Sequence, residues 1–507
     1  MEKGRQRRIG IILSYVVMAS NFLVGLVYTP FLIKSLGQSE YGNYNYVNSI
    51  ANYLTLLTCG FGSAYLRFAT PYRKNNDKDG IENINGLFLS LFFVMGFVAL
   101  ILGGFMTWHS DWILSGKLTG DELETGRILM SILVLNVFMT FPVSIFNSYI
   151  IAQEEFIFQK SIALVRTFLS PLLSIIILNL GYKAVGIAIV TLCVTVIIDG
   201  STIIYCIRKL GMRFQFHFFN WQQVKEVYIF SGFLLLSMIV DQVNWSVDKF
   251  LLGKICGTTV VAIYTVGATI NTYYMSMGEA ISNVFVPRVY DLLNKKNGDF
   301  EVSLLMTKLG RIQFIVLSLI YTGFIIFGKA FIGLWVGEEY LTAYYVILLL
   351  IIPVTIPEIQ KIGLEIQKAK NLHKFRSLVY AVIALVNILL TIPLARLFGA
   401  VGAALGTAIT VIVGNGVIMN IYYMKKVKVD IVIFWKGIMK LLPSVFISLI
   451  IGVFINSFLV PKSWVLFGIG VVIYTFAYFV IVYMIGMNSE ERNYFYHLIK
   501  RLKTKNS

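Results

Sequence analysis

Charged residues are scarce in this sequence, and their scarcity excludes an ordinary soluble domain. Asp, Glu, Lys and Arg make up 14% of the 507 residues, whereas soluble domains have roughly 25%. Hydrophobic residues make up 57%, and the mean hydropathy is +0.76. The chain is therefore predicted to be a polytopic membrane protein. Its net charge of +17 does not indicate nucleic acid, because the basic residues lie in short segments between apolar runs.

Cysteine and histidine are rare, with four residues of each. The cysteines have neither paired nor metal-ligand spacing, so free buried thiols and no structural metal are expected. We find no nucleotide-binding loop and no catalytic constellation. The longest predicted outer loop, about 109 to 126, is too short for the catalytic loop that a membrane glycan polymerase or ligase typically needs. The sequence therefore argues against an enzyme and against a resident cofactor.

Apolar windows of about 20 residues, long enough to cross a bilayer as helices, occur fourteen times. They cover 9–33, 43–68, 84–108, 128–151, 161–180, 184–206, 229–252, 259–286, 309–328, 341–359, 377–397, 400–423, 431–459 and 463–486. With a cytoplasmic N-terminus, 33 of the 43 Lys and Arg residues fall on the cytoplasmic side and nine on the other side. This asymmetry predicts that both termini are cytoplasmic.

An internal repeat organises the chain. Gly37 and Tyr44 recur as Gly257 and Tyr264 at an offset of 220, and Ile50 and Tyr53 recur at the same offset. The sequence predicts an all-α integral membrane protein with two pseudo-symmetric six-helix lobes, residues 1–210 and 211–427. Residues 428–507 are predicted to add two transmembrane helices and a basic cytoplasmic tail. Parallel repeats of this kind place a substrate path between the lobes and move by rocking.

The seventh span carries a polar stripe. Within 230–252, Asp241 and Asp248 lie on one helical face with Ser237, Asn244 and Trp245. An acidic side chain in hydrocarbon costs about 2.5 kcal/mol or more, so these groups are expected to face protein or a wet cavity. Two interpretations stay open: a cation or proton site, or a surface position for Asp248 with Asp241 capping a neighbouring helix.

Other polar side chains are candidates for lining a substrate cavity. Arginine presents a planar fork of donors that suits phosphate oxygens, although snorkelling to the interface also explains single arginines. Tyrosines at repeat-related positions offer rings and hydroxyls to sugars, although interfacial aromatic belts are the commoner explanation. The candidates are Arg67, Arg166, Arg376, Asp241, Glu279, Tyr44 and Tyr264.

Several short motifs, in order along the chain, carry a family resemblance. They are Leu36–Tyr44 after the first span, Gly60–Gly62 with Leu66–Phe68, Asp248–Gly253, and Gly399–Ala404 at the twelfth span. In these motifs and in its fourteen spans the chain resembles the multidrug/oligosaccharidyl-lipid/polysaccharide (MOP) exporter superfamily. Within that superfamily it is similar to the polysaccharide transporters, the Wzx-type flippases for capsule or O-antigen repeat units.

This resemblance implies two lobes around a cationic cavity, alternating access, and a bacterial plasma (inner) membrane location. The implied cargo is a polyprenyl-pyrophosphate-linked oligosaccharide, and the implied partners are the bilayer, a polysaccharide polymerase and chain-length machinery. Related lipid II flippases have a sodium site, so a coupling cation, sodium or proton, is expected. The resemblance places Asp248, Asn387, Thr391, Ala403 and Thr407 at that site. Thr391 stands where the family has an acidic residue.

A drug/cation antiporter of the same fold is the alternative within transport. Such antiporters usually have twelve spans and acidic cavities, so spans thirteen and fourteen favour the flippase. Asn43, Leu56 and Ala268 stand where a lipid II flippase has an aspartate and two cavity arginines. These departures imply a different glycolipid cargo.

Overall fold

The computed structural model describes residues 2–493 apart from a few positions: Cys59, Ser115, 217–220, Val284, Asn294, Lys296, Asn371 and Val460. Inside helices, the description also leaves out the side chains of 2–3, 7, 233–234, 236–237, 240–241, 243–246, 283, 287 and 373. Every regular element in the described part is helical. This confirms the all-α class.

The α-helices are α1 (Glu2–Tyr53), α2 (Phe61–Lys74), α3 (Lys78–Trp108), α4 (Ser110–Ile113), α5 (Gly120–Gln153), α6 (Phe156–Asn179), α7 (Ala184–Ile204), α8 (Trp221–Cys256), α9 (Thr258–Asn283), α10 (Val286–Leu293), α11 (Gly298–Trp335), α12 (Thr342–Ile359), α13 (Lys361–Ala369), α14 (His373–Val411), α15 (Met419–Tyr422), α16 (Ile431–Met439), α17 (Leu442–Leu459) and α18 (Trp464–Ile481). Short 3₁₀ segments cover Leu54–Thr58 and Glu338–Tyr340, and π-helical segments cover Tyr205–Lys209, Ile412–Ile418, Tyr423–Val427 and Val482–Gly486.

Ten helical stretches of the described chain are long and apolar enough to cross a membrane. Two of them, Gly4–Lys74 and Lys374–Val427, are 71 and 54 residues long, so each contains two of the predicted crossings. The predicted spans seven and eight correspond to α8 and α9, which are not among these ten stretches. Each of the fourteen predicted spans therefore coincides with helix.

The contacts between helices divide the chain into two compact units. The first unit comprises Met1–Thr265 and Thr391–Gly399, and the second comprises Val266–Leu390 and Ala400–Ser507. The helices α9 and α14 thus contribute to both units. These limits describe contacts and not sequence relatedness, so the repeat boundaries at 210 and 427 stay a prediction.

Two repeat-related glycines occupy the same region of backbone space. Gly37 has a φ of 75° within α1, where the first predicted span gives way to the second. Gly257, 220 positions later, has a φ of 96° between α8 and α9. Glycine adopts positive φ without the steric cost that a Cβ would bring. The shared conformation at equivalent positions favours the predicted repeat.

Glu122 joins three helices of the first unit. It forms a capping box with Thr119 at the start of α5. Its carboxylate also accepts hydrogen bonds from the Ser39 hydroxyl of α1 and from Thr258 Oγ1 of α9, the latter at 2.7 Å. Hydrogen bonds to a charged acceptor are stronger than neutral ones. This carboxylate therefore fixes the start of α5 against two other helices.

Replacing Glu122 with glutamine should lower the free energy of unfolding by about 1–2 kcal/mol. The amide keeps one acceptor oxygen but loses the charge that strengthens these bonds. Thermal unfolding of the purified protein measures the change. Glu124→Gln is the matched control, because Glu124 lies on the same helix and is exposed. Equal losses in the two variants would contradict the role assigned to Glu122.

In the second unit, the last two predicted spans pack against α11. The Tyr478 hydroxyl of α18 donates to the Ile315 carbonyl at 2.8 Å and lies 2.7 Å from Ser318 Oγ. The Tyr474 hydroxyl donates to Thr322 Oγ1 at 2.6 Å. Both tyrosine rings are buried. Burial of a tyrosine ring is favourable when its hydroxyl finds a partner, so these bonds allow α18 to pack tightly on α11.

The described cysteines are free, as expected, but not uniformly buried. Cys206 is buried, Cys256 is half-buried and Cys193 is exposed. Burial was therefore wrongly predicted for Cys193, because its apolar sequence context is equally typical of a helix face turned outwards. Cys59 lies outside the described residues.

Candidate functional site

A buried carboxylate in the first unit is the centre of the best-formed polar site. Asp248, near the end of α8, is only 2% exposed. The Tyr264 hydroxyl donates to its Oδ2 at 2.5 Å, and Thr391 Oγ1 donates to its Oδ1 at 3.3 Å. A buried carboxylate is tolerated only where hydrogen bonds or a cation compensate for lost hydration. The structure thus brings together two predicted ion ligands, Asp248 and Thr391, and adds Tyr264.

These oxygen donors suit a small hard cation or a proton. The Tyr53 hydroxyl is buried without a hydrogen-bond partner, and it lies within electrostatic reach of Asp248. An orphaned hydroxyl costs free energy, and a bound cation or water would satisfy it. The described residues contain no cluster of three or more His, Cys, Asp or Glu side chains with metal-site spacing. Hydroxyl and carboxylate oxygens of this kind suit a hard cation or a proton better than a soft transition metal.

The other predicted ion ligands lie in the second unit. Asn387 Nδ2 donates to Thr407 Oγ1 at 3.1 Å and to Thr410 Oγ1 at 3.3 Å. All three side chains are buried, as is Ala403. Sequence reasoning missed Thr410. Its position three residues after Thr407 on the same helix is the signal that could have found it.

Arg166 is the predicted phosphate ligand with a clear partner. Its Nη2 donates to Asp199 Oδ1 at 3.3 Å, joining α6 to α7. The arginine side chain is 46% exposed, and that of Asp199 is 13% exposed. Asp199 Oδ2 is buried without a hydrogen-bond partner. The pair therefore holds the guanidinium in place while leaving much of it accessible.

Arg67 and Arg376 are held by aromatic rings. The Arg67 guanidinium lies 4.5 Å from the centre of the Phe230 ring, and Arg67 is exposed. Arg376 lies 4.5 Å from the Tyr380 ring centre, and its Nη2 donates to the Tyr380 hydroxyl at 2.7 Å. That hydroxyl in turn donates to Asn415 Oδ1 at 2.5 Å. Cation–π contacts orient a guanidinium without neutralising its charge.

The remaining cavity candidates have different surroundings. Glu279 is exposed and pairs with Lys361 Nζ at 2.7 Å, and the same ammonium contacts Glu358 at 3.0 Å. Tyr44 is half-buried in the first unit. Tyr264 is buried beside Asp248, so it shares a site with a predicted ion ligand. The side chain of Asp241 lies outside the described residues.

The partners of the predicted residues were mostly missed. Lys361 lies three residues after Glu358, a spacing that brings side chains together on a helix and that could have been noticed. Asp199 was identifiable as an acidic residue inside a span, but it lies 33 positions from Arg166. Asp199 and Arg166 come together only because α6 packs on α7.

The fold has counterparts among solved membrane transporters. The structure matches the lipid II flippase MurJ, in an inward closed conformation, with a TM-score of 0.73 and 17% identity, covering 94% of this chain and 98% of that one. An inward-facing multidrug resistance MATE family transporter of the MOP superfamily matches with a TM-score of 0.63 and 14% identity, over 82% and 98% of the two chains. The chain is therefore a multi-pass membrane protein with the MurJ/MATE-like fold.

Residues 8–292 match the family described as "Polysaccharide biosynthesis protein", and the chain belongs to this family. The recognition made from the motifs is supported by this family match and, at the level of the fold, by the MurJ and MATE structures. A Shigella flexneri protein named "Putative O-antigen transporter" is 21% identical over 406 residues, covering 77% of this chain and 91% of that protein. The membrane protein EpsK of Bacillus subtilis (strain 168), named as uncharacterized, is 21% identical over 486 residues, or 92% of each chain.

Proposed function

We propose that this protein is a flippase for a polyprenyl-pyrophosphate-linked oligosaccharide repeat unit. It carries the unit from the cytoplasmic to the outer leaflet for synthesis of capsule, O-antigen or exopolysaccharide. The observation that carries the proposal is the family match over residues 8–292 in a chain with a flippase-like fold. The name of the Shigella flexneri relative supports the same cargo class.

The protein lies in the bacterial plasma membrane with both termini cytoplasmic. The excess of basic residues on one side of the predicted spans supports this orientation. The lipid bilayer supplies the cargo laterally, and a polysaccharide polymerase with its chain-length machinery uses the product. The sugar head crosses the membrane through the protein while the prenyl tail stays in the hydrocarbon.

The guanidinium groups of Arg67 and Arg166 in the first unit, and that of Arg376 in the second unit, are the candidates for binding the pyrophosphate as it enters from the cytoplasm. Bidentate donation to phosphate oxygens gives this recognition both strength and geometry. The Asp248 carboxylate binds the coupling cation, sodium or proton, together with Thr391 in the first unit. Asn387, Thr407 and the Ala403 carbonyl form a second set of ligand candidates in the second unit. Binding of the ion favours one access state over the other, and alternating access follows.

Deletion of the gene tests which cargo the protein carries. The flippase proposal expects loss of surface polysaccharide and accumulation of its lipid-linked unit on the cytoplasmic side, with both defects reversed by the intact chain. Intact polysaccharide with altered drug sensitivity would instead indicate the drug/cation antiporter, which the MATE likeness of the fold favours as the second candidate. Accumulation of flipped but unpolymerised units would indicate a polymerase.

Replacing Arg166 with alanine should lower the rate of flipping by roughly tenfold or more, since a lost charged contact to phosphate costs at least about 1.4 kcal/mol. Flipping is measured in vesicles with a fluorescent lipid-linked oligosaccharide, on protein that is inserted normally. Arg396→Ala is the control, because Arg396 is an exposed arginine with no ion pair within the described chain.

The double variant Arg166→Ala with Asp199→Asn distinguishes a cargo-binding role of Arg166 from a structural one. If Arg166 acts only by neutralising Asp199, the neutral asparagine restores flipping. If Arg166 binds the cargo, the double variant stays impaired. Normal flipping by well-inserted Arg166→Ala protein would remove Arg166 from the cargo site.

A further inference from the structure

An apolar groove of about 250 Å³ opens on the second unit. One wall consists of the first half of α14, with Val379, Val382 and Ile383, and the other consists of the later residues Ile409 and Val413. Val382 and Val413 are about half exposed. The groove therefore offers a continuous apolar surface to whatever surrounds this helix pair.

A close approach and a change of helical geometry shape the groove. A Cβ on Gly414 would lie 2.0 Å from Ile383 Cδ1, so this glycine lets the two walls meet at the floor. The wall helix becomes π-helical over Ile412–Ile418 at the same level. Such segments are uncommon and occur frequently at functional sites.

One end of the groove is basic. The rings of Phe375 and Tyr422 stack with centroids 4.3 Å apart, and the Tyr422 hydroxyl donates to the Leu372 carbonyl at 2.9 Å. These contacts hold the two wall ends together. Lys374 precedes the stacked Phe375, while Lys425 and Lys426 follow Tyr422 on the opposite wall. Three ammonium groups therefore come from wall segments that meet at this end.

The three lysine side chains at this end of the groove are available to bind an anion. All are exposed, and within the described residues none of them forms an ion pair. Neither wall end, 372–376 or 422–428, contains an acidic residue. Their charge is thus left for an anion outside the protein. Basic pockets between transmembrane helices on the cytoplasmic side are the typical sites of anionic lipid headgroups.

We propose that this groove binds an anionic phospholipid of the bilayer. One acyl chain lies against Val379, Val382 and Val413, and the phosphate headgroup meets Lys374, Lys425 and Lys426. An anionic lipid is favoured over a helix of a second protein, because a helix with side chains is roughly 10 Å wide and is large for a groove of about 250 Å³. The proposed flippase function does not rest on this site, and the cargo candidate Arg376 lies two residues from Lys374.

Native mass spectrometry of the full chain, with dioleoyl phosphatidylglycerol or dioleoyl phosphatidylcholine as the added lipid, tests the proposal. The variant K374Q/K425Q/K426Q should bind phosphatidylglycerol roughly 100-fold more weakly than the parent chain, because each basic group near a lipid phosphate contributes about fivefold. Arg376 is left unchanged, since it is a cargo candidate. K74Q/K78Q/K225Q is the matched control, removing three exposed, unpaired lysines from the same predicted side of the membrane.

A second variant tests the groove itself. Val413→Phe places a ring in the groove without altering charge, so it should displace the lipid while the chain remains folded. Equal weakening in the two lysine variants, or equal binding of the two lipids by the parent chain, would overturn the site. Unchanged phosphatidylglycerol binding by Val413→Phe would overturn the acyl-chain placement.

Discussion

Replacing Arg311 with methionine should destabilise the protein by about 3–5 kcal/mol. Arg311 and Glu491 are each only 6% exposed at their side chains. Arg311 Nε and Nη2 donate to the two Glu491 oxygens at 2.6 and 2.8 Å. Removing one partner of a buried pair leaves the other charge without compensation, and that loss is strongly destabilising. The thermal unfolding midpoint in detergent, followed by size-exclusion fluorescence, measures the change.

The position of this pair explains why the effect should be large. Arg311 Nη2 also donates to the Gly486 carbonyl at 2.9 Å, and Nη1 donates to the Gly437 carbonyl. One guanidinium therefore ties α11 to α16, to the end of the last predicted span and to the segment that follows it. The methionine variant should also expose these C-terminal helices to protease at lower temperature than the parent chain.

A neighbouring pair provides the control. Lys308 and Glu490 lie 2.9 Å apart, and their side chains are 55% and 73% exposed. Exposed pairs are screened by water and contribute little to stability, so Lys308→Met should change the midpoint little. The double variant Arg311→Met with Glu491→Leu should recover much of the stability, since neither charge is then buried alone. Equal effects at Lys308 and Arg311 would contradict the anchoring role.

In the sequence analysis, Arg311 was only one of the basic residues counted on the predicted cytoplasmic side. Its position at the start of an apolar span, 309–328, is equally compatible with a snorkelling side chain. Its partner lies 180 residues away, and no local pattern connects the two. Hydropathy and charge asymmetry could locate the helices because the bilayer imposes those patterns on each span separately. Pairing between distant helices depends on packing, which leaves no periodic signal.

The polar stripe of the seventh span was more informative. A carboxylate inside an apolar helix must be compensated, and the burial of Asp248 among hydroxyl groups agrees with that expectation. Thr391 was placed with it by resemblance, and the structure shows the contact. Tyr264 was recognised as a repeat-related tyrosine, but its hydroxyl bond to Asp248 was not foreseen, because the break at Gly257 sets how α9 returns along α8.

If the proposed ion-coupled flipping is correct, replacing Asp248 with asparagine should weaken the dependence of flipping on the coupling ion. The amide is nearly isosteric and still accepts the Tyr264 hydroxyl bond, so the local fold is preserved while the negative charge is lost. Losing a buried charge–cation contact should lower ion affinity by roughly tenfold or more. Reconstituted vesicles with imposed sodium gradients, and separately with pH gradients, measure this loss and identify the ion that drives the parent chain.

Two further variants decide which oxygen atoms matter at this site. Tyr264→Phe keeps the carboxylate but removes its closest donor, so coupling should persist with a shifted ion dependence. Thr391→Val removes a longer bond at 3.3 Å and should have a smaller effect. If Asp248→Asn retained the full response of the parent chain to both gradients, the carboxylate would be a structural group. The coupling ion would then have to bind elsewhere, with the Asn387–Thr407 pair of the second unit as the next site to test.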